Sequence, residues 1–290
     1  MGIYDEAIAQ FREQGWAVIK NFLSENEVIT LKQCAQDLIT AFDMQEIRIF
    51  TTNDQTKILD TYFLESGDKV RCFFEEKAFD AKGQLSKPRH LAVNKIGHAQ
   101  HDLNAHCERI SYKKELLDLA LNLGLEKPAI AQSQFIFKQP GIGAEVNAHT
   151  DATFIYTEPL SCLGVWIALE PALVENGCLN AISGSHKMYP LQQIYVRNKE
   201  ATGTVFEETV FEQVPWDLSK LEPIEAEAGD LVLLDGLLVH ASYANWSNRS
   251  RQAYVLHLID LNCRWSERNW LQRSPEMPFR PMADVIEILN

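Results

Sequence analysis

Two short stretches of this chain hold residue types that could bind and use a metal ion. His149-Thr150-Asp151 lies in a strand-like run over 146–154. In an extended chain alternate side chains project to the same side, so one segment presents an imidazole and a carboxylate together. His240 closes the apolar run Leu237-Leu238-Val239-His240, just after the Asp235-Gly236 turn. An apolar strand offers a histidine few polar partners, which makes a ligand role reasonable there. Two imidazoles and one carboxylate on one face of an octahedral ion leave three positions open, the facial arrangement of non-haem Fe(II) oxygenases. Arg251 opens the run Arg-Gln-Ala-Tyr-Val-Leu-His. A guanidinium clamps a carboxylate with two parallel hydrogen bonds, and 2-oxoglutarate, the cosubstrate of such enzymes, carries a second carboxylate for it to hold. The same three ligands also suit zinc with a water in the fourth position, so a metallohydrolase stays open; that chemistry would not need Arg251.

Other candidates have plainer readings. His98 and His101 are three apart and could share a helix face, where a solvated surface is expected rather than a second metal site. His257 alternates onto the face of Arg251 and is expected to be a satisfied core histidine. His186, in Ser183-Gly-Ser-His, is expected to hold a turn. Ser185 beside it lacks the G-x-S-x-G elbow of a hydrolase. Gly141-Ile-Gly143 lacks the third glycine of a dinucleotide fingerprint. Arg71 is either a contact for an anionic substrate or a salt bridge.

The elements that must position these residues divide into two halves. Residues 5–15 read as a helix with Ala7, Ile8 and Phe11 on one face and Gly15 as its stop. A short strand over 17–23 follows. Ser24 and Glu27 form a capping box, with Leu23 and Val28 as a hydrophobic staple, and Val28, Leu31, Cys34, Leu38 and Phe42 continue at helical spacing. A further helix runs over 113–123 before Gly124. From about residue 129 the period becomes that of strands, over 130–138, 146–154, 162–170, 230–235, 237–242 and 252–260, punctuated by Gln-Pro-Gly, Glu-Asn-Gly, Ser-Gly and Asp-Gly turns. Helices followed by many short strands predict an α+β fold. Residues 187–228 are polar and irregular and read as a long loop over one mouth of the sheet. The expected organisation is one domain over 1–290, with a mainly helical buttress over 1–128, a β core over 129–275 and a tail over 276–290.

Composition narrows the partners. With 46% hydrophobic and 23% charged residues, the 290-residue chain is globular rather than disordered. The net charge of −13 removes the basic footprint that nucleic acid or anionic lipid would require. No apolar run approaches a membrane span, and the opening Met-Gly-Ile-Tyr-Asp-Glu lacks a secretory signal profile. The six cysteines are scattered without a C-x-x-C pair, which reads as reduced thiols in a cytoplasmic protein. A small-molecule substrate is the expected partner; oligomeric state is open.

Several motifs in order point further. His149-Thr-Asp-Ala-Thr-Phe-Ile-Tyr-Thr-Glu-Pro-Leu, Leu163-Gly-Val-Trp-Ile-Ala-Leu-Glu, Glu175-Asn-Gly-Cys-Leu with Ser183-Gly-Ser-His, Val239-His-Ala-Ser and Arg249-Ser-Arg-Gln-Ala-Tyr resemble the phytanoyl-CoA dioxygenase family, nearest its branch of domain-containing proteins. Phe11-Arg-Glu-Gln-Gly-Trp-Ala-Val-Ile-Lys, Tyr62-Phe-Leu-Glu-Ser-Gly, Asn94-Lys-Ile-Gly-His and Gln132-Ser-Gln-Phe-Ile-Phe-Lys-Gln-Pro extend the likeness from about residue 5 to residue 275. The resemblance implies a double-stranded β-helix, or jelly-roll, with buttressing N-terminal helices. It implies His149, Asp151 and His240 as Fe(II) ligands, Arg251 as the 2-oxoglutarate clamp with Ser242 as its hydroxyl partner, and Lys95, Trp166 and Gln134 as further pocket positions. Gln134 stands where relatives often carry Met, Thr150 where Gln is common and Ser183 where Pro is common. The implied activity uses O2, with ascorbate as a reductant, and releases succinate and CO2 while hydroxylating a C–H bond. Asp151 retains the carboxylate that halogenating relatives lack. A non-catalytic module on the same scaffold is the remaining alternative.

Overall fold

The computed structural model describes residues 4–43, 49–50, 61–209 and 212–289. Two facing β-sheets form a jelly-roll. The major sheet has eight strands in the order Trp16–Ile19, Leu231–Asp235, Leu163–Ala168, Arg251–Asp260, Pro128–Lys138, Val93–His98, Val70–Glu75 and Ile49–Phe50. All its pairings are antiparallel except the last. The minor sheet runs Glu222–Ile224, Leu179–Ala181, His240–Ser242 and Val146–His149.

Alternation along the central strand explains the layers. In Arg251–Asp260, Ala253 and Val255 join Trp166, Ala168, Val232 and Leu234 against Leu179, Ala181 and Ile224 of the minor sheet. Tyr254, Leu256 and Leu258 point the other way, into a larger core shared with Phe11, Leu31, Leu116, Leu119 and Met282 of the helices. Both faces are covered, which is why the strand reads as an almost unbroken apolar run.

The helical buttress follows its local signals. Helix Asp5–Gln14 ends at Gly15, whose φ of 80° an L side chain rarely adopts. Helix Glu25–Ala41 starts on the expected reciprocal cap: Ser24 Oγ accepts from Glu27 N, and Glu27 Oε2 accepts from Ser24 N at 2.8 Å. Helix Lys114–Asn122 buries Leu116, Leu119 and Ala120.

Three expectations shift. The N-terminal portion is less purely helical than expected, because Val70–Glu75 and Val93–His98 join the expected short strand, here Trp16–Ile19, in completing the major sheet. Their burial comes from pairing with distant strands, which no local window records. The 187–228 segment is not one loop: Gln193–Arg197 and Thr204–Glu208 form an antiparallel hairpin, and Glu222–Ile224 joins the minor sheet. The residues at 276–290 include helix Met282–Leu289, which buries Met282 and Val285. All six cysteines are free thiols, as their spacing implied. Among the described residues no helix is long and apolar enough to cross a membrane.

Candidate metal centre and cosubstrate pocket

The site lies between the sheets. His240 and His149 face each other directly across the minor-sheet pairing, with ring centroids 4.2 Å apart. The strand ends at His149 and Asp151 opens a short 3-10 turn, so the expected strand over 146–154 is cut short. Thr150 between them keeps extended angles, φ −119° and ψ 140°. The alternation therefore survives one residue past the strand and returns Asp151 to the side of His149. Asp151 Oδ1 stands 3.7 Å from Nε2 of His149 and 3.7 Å from Nε2 of His240. One ligand atom from each of the three residues lies within 4.8 Å of the others.

The backbone sets the ring orientation. Nδ1 of His149 meets the carbonyl of Asn147 at 2.8 Å, and Nδ1 of His240 meets that of Leu238 at 3.0 Å. Each carbonyl can only accept, so each Nδ1 carries the proton and each Nε2 presents a lone pair inward, the tautomer a metal requires. Burial, followed by the neighbouring His149, lowers the His240 pKa to about 4, which keeps that ring neutral. Burial pushes the Asp151 carboxyl up, but the neighbouring His257 and His240, with His149 close by, outweigh it and hold it well below the ordinary carboxylate range. The site thus offers an anionic Asp151 and a neutral His240 beside the His149 imidazole. Gly164 permits the close approach of the carboxylate: a Cβ there would lie 2.7 Å from Asp151 Oδ2.

Arg251 starts the next major-sheet strand and is 1% exposed. Its Nη2 donates to Ser242 Oγ at 2.9 Å and to the Gly177 carbonyl at 2.9 Å, while Nε donates to the same carbonyl at 3.2 Å. The guanidinium carbon lies 5.2 Å from the Trp166 ring centroid. Nη1 is buried and has no hydrogen-bond partner. An orphaned donor on a buried cation is costly, and it is the feature a carboxylate-binding pocket would show before its ligand arrives. Burial lowers the guanidinium to about 10, so it remains charged at neutral pH.

The structure therefore brings His149, Asp151 and His240 together, and separately joins Arg251, Ser242 and Trp166. Lys95 and Gln134 share the inner face of the major sheet, in register with Ile136 and with Gly97 and Val255 respectively. The Lys95 ammonium lies 5.2 Å from the Phe73 ring centroid and 5.6 Å from that of Phe63. Arg71 takes the salt-bridge course: it donates to the Tyr62 carbonyl and stands 3.6 Å from Glu65.

Other expectations need correction. His98 and His101 are not on a solvated face; both are fully buried, hydrogen-bonded to Ser66 and Ser133 at 2.7 Å each. The cross-sheet contacts that bury them lie outside any helical window. His257 is buried and partnered by Gln132 at 3.0 Å, as expected of a satisfied core histidine, and its Nε2 in addition lies 3.3 Å from Asp151 Oδ1. Sequence reading also passed over Lys138, the cross-strand partner of Arg251. It is 1% exposed, and its Nζ donates to the carbonyls of Ala144, Ser242 and Tyr243 at 2.7, 3.1 and 2.7 Å, pinning the turn after Ser242. A lysine within a strand otherwise rich in apolar residues was the available signal. The 187–228 hairpin also reaches the site: Tyr195 packs 5.4 Å from Phe154, whose ring is 5.8 Å from that of His149.

Comparison with known proteins agrees with this architecture. The profile described as Phytanoyl-CoA dioxygenase (PhyH) matches residues 11–253. A phytanoyl-CoA dioxygenase of Arabidopsis thaliana is 42% identical over 269 residues, covering 92% of this chain and 93% of the relative. Phytanoyl-CoA dioxygenase domain-containing protein 1 of Mus musculus is 39% identical over 284 residues, covering 95% and 97%. Among solved structures, EctD from S. alaskensis with 2-oxoglutarate and 5-hydroxyectoine shares the fold at TM-score 0.62 and 19% identity, covering 94% of this chain and 84% of that one. The epimerase SnoN in complex with Fe3+, alpha ketoglutarate and nogalamycin RO does so at TM-score 0.64 and 16% identity, covering 96% and 92%. With the profile spanning most of the chain and relatives matched nearly end to end, this protein is a member of the phytanoyl-CoA dioxygenase family.

Proposed function

We propose that the protein is an Fe(II)- and 2-oxoglutarate-dependent dioxygenase that hydroxylates an unactivated C–H bond of a small or lipid-derived substrate, acyl groups included, in the cytoplasm. The observation that carries this reading is the pairing of two features: three inward-facing ligand atoms within 4.8 Å of each other, and a buried arginine with one unpartnered nitrogen. A zinc hydrolase would have use for the first and none for the second.

In this reading His149, Asp151 and His240 hold Fe(II) on one face. Arg251, steadied by Ser242 and the Gly177 carbonyl, would receive the distal carboxylate of 2-oxoglutarate on its free Nη1, with Trp166 forming one wall. Lys95 and Gln134 would extend that wall along the inner sheet face. When bound, the iron and cosubstrate supply the oxidative chemistry, with O2 as oxidant, succinate and CO2 as products and ascorbate as maintaining reductant. The chain's own contribution is fixed ligand geometry, cosubstrate orientation and exclusion of water. The side chain of His149 is 23% exposed against 8% for Asp151 and 6% for His240, so the substrate would enter past His149, beneath Phe154 and the Tyr195 hairpin.

The test is succinate formation from 2-oxoglutarate with Fe(II), ascorbate and O2. Slow turnover uncoupled from substrate is expected in the wild type and none in Asp151→Ala. A folded, iron-loaded protein that forms no succinate with any acyl or small-acid substrate would turn the reading to a binding module. Turnover of an ester or amide without O2 would turn it to a hydrolase.

A further inference from the structure

We propose that His257, oriented by Gln132, is a positioning residue that holds the Asp151 carboxylate in its metal-binding orientation. This rests on the metal reading above. Asp151 Oδ1 lies 3.7 Å from Nε2 of both His149 and His240, and 3.3 Å from Nε2 of His257. An ionised carboxylate oxygen has two lone-pair sites. A metal ion uses one, and an N–H on the far side can use the other without competing for it.

The hydrogen-bond partner of His257 decides which nitrogen carries the proton. Gln132 Nε2 meets His257 Nδ1 at 3.0 Å. An amide NH2 only donates, so Nδ1 accepts and the ring N–H sits on Nε2, towards Asp151. With the amide reversed, a ring carrying its only proton on Nδ1 would set two acceptors, Nε2 and Oδ1, 3.3 Å apart in a buried setting, so either amide orientation leaves an N–H on Nε2 as the favourable arrangement. The deposition of protons is thus fixed from behind, as a carbonyl fixes a metal-bound imidazole.

Strand register places this relay under the site. His257 pairs with Gln132 on one side and with Gly164 on the other. The three form one row on the inner face, where His257 is 7% and Gln132 3% exposed. The missing Cβ of Gly164 makes room for Oδ2, which a side chain there would meet at 2.7 Å, and His257 sits at Oδ1. Held at Oδ1 by His257, the carboxylate keeps that same oxygen 3.7 Å from each of the two ligand imidazoles.

The test is Co(II) affinity of the purified full-length protein, measured by titration against a competing chelator, with thermal unfolding of the metal-free form alongside. His257→Phe keeps a flat ring and removes the donor; it is expected to lose about 10–100-fold in Co(II) affinity. His257→Gln restores an N–H and is expected to recover most of that loss, which a purely space-filling role would not allow. Gln132→Leu removes the anchor but leaves the imidazole; because Gln132 Oε1 already lacks a partner, it sacrifices one hydrogen bond and is expected to show an intermediate loss. Affinity of His257→Phe equal to wild type, or of His257→Gln no better than His257→Phe, overturns the proposal. If His257→Phe fails to fold, Gln132→Leu decides, and unchanged affinity there overturns it. A wild type that binds no divalent ion refutes the metal reading itself; a wild type that binds tightly with all variants equal to it refutes only the role of His257.

Discussion

Replacing Gly164 by alanine probes the fit between the major sheet and the metal centre with a single methyl group. The added Cβ would stand 2.7 Å from Asp151 Oδ2 and 3.1 Å from Leu234 Cβ, whereas ordinary contact begins near 3.4 Å. Relief requires a shift of about 0.7 Å, and the backbone is poorly placed to provide it, because Gly164 is paired to Leu234 on one side and His257 on the other. The carboxylate must therefore move, towards the imidazoles that crowd Oδ1. Overpacking of this kind costs about 1–3 kcal/mol, and displacing a ligand by a large fraction of an ångström is expected to weaken metal binding about 10–100-fold. Calorimetric or dye-monitored melting of the metal-free protein and Co(II) titration measure the two effects separately. A double-mutant cycle isolates the cause: in an Asp151→Ala background the clash partner is gone, so Gly164→Ala should cost only the residual contact with Leu234. Wild-type Co(II) affinity in Gly164→Ala, or an equal stability loss with and without the Asp151 carboxylate, would refute the reasoning.

Two further outcomes follow from the buried charges. Arg251→Ala is expected to raise the 2-oxoglutarate concentration needed for half-maximal succinate formation by about 10–150-fold, the equivalent of one charged hydrogen bond of roughly 1.5–3 kcal/mol, while leaving Co(II) affinity near wild type; equal loss of both would place Arg251 in support of the metal centre. Burial lowers the His101 pKa to about 3, so between about pH 6.5 and 3 the unfolded chain binds a proton that the folded one does not. Stability of the metal-free protein should thus fall as pH drops through that window, by up to about 1.4 kcal/mol per unit for this one group. His101→Asn is expected to flatten the slope, read from urea unfolding at a series of pH values, and an unchanged slope would show that His101 does not carry it.

How much was legible in the sequence depended on how locally each feature is specified. The helix over 5–14 and its Gly15 stop, the Ser24–Glu27 cap, the helix at 114–122 and the apolar central strands follow from residues a few positions apart, and the structure contains them with ends shifted by a few residues. The His149–Asp151 pairing was legible for the same reason, since one extended residue is enough to return two side chains to one side. The jelly-roll itself, together with the choice of His240 and Arg251 as partners, drew on the ordered motifs of a known family as much as on periodicity.

The tertiary structure alone decided the rest, because the forces involved act between residues far apart in the chain. Strand pairing across the sheet drew Val70–Glu75 and Val93–His98 out of a segment expected to be mainly helical, and closed a hairpin inside the expected loop. Packing against Ser66 and Ser133 buried two histidines that looked solvated. Cross-strand register set His257 between Gln132 and Gly164 beneath Asp151, and lodged Lys138 beside Arg251. A sequence states which groups are available to donate, accept or ligate; their separation and the water excluded around them, which govern the strength of those interactions, exist only once the sheets have closed.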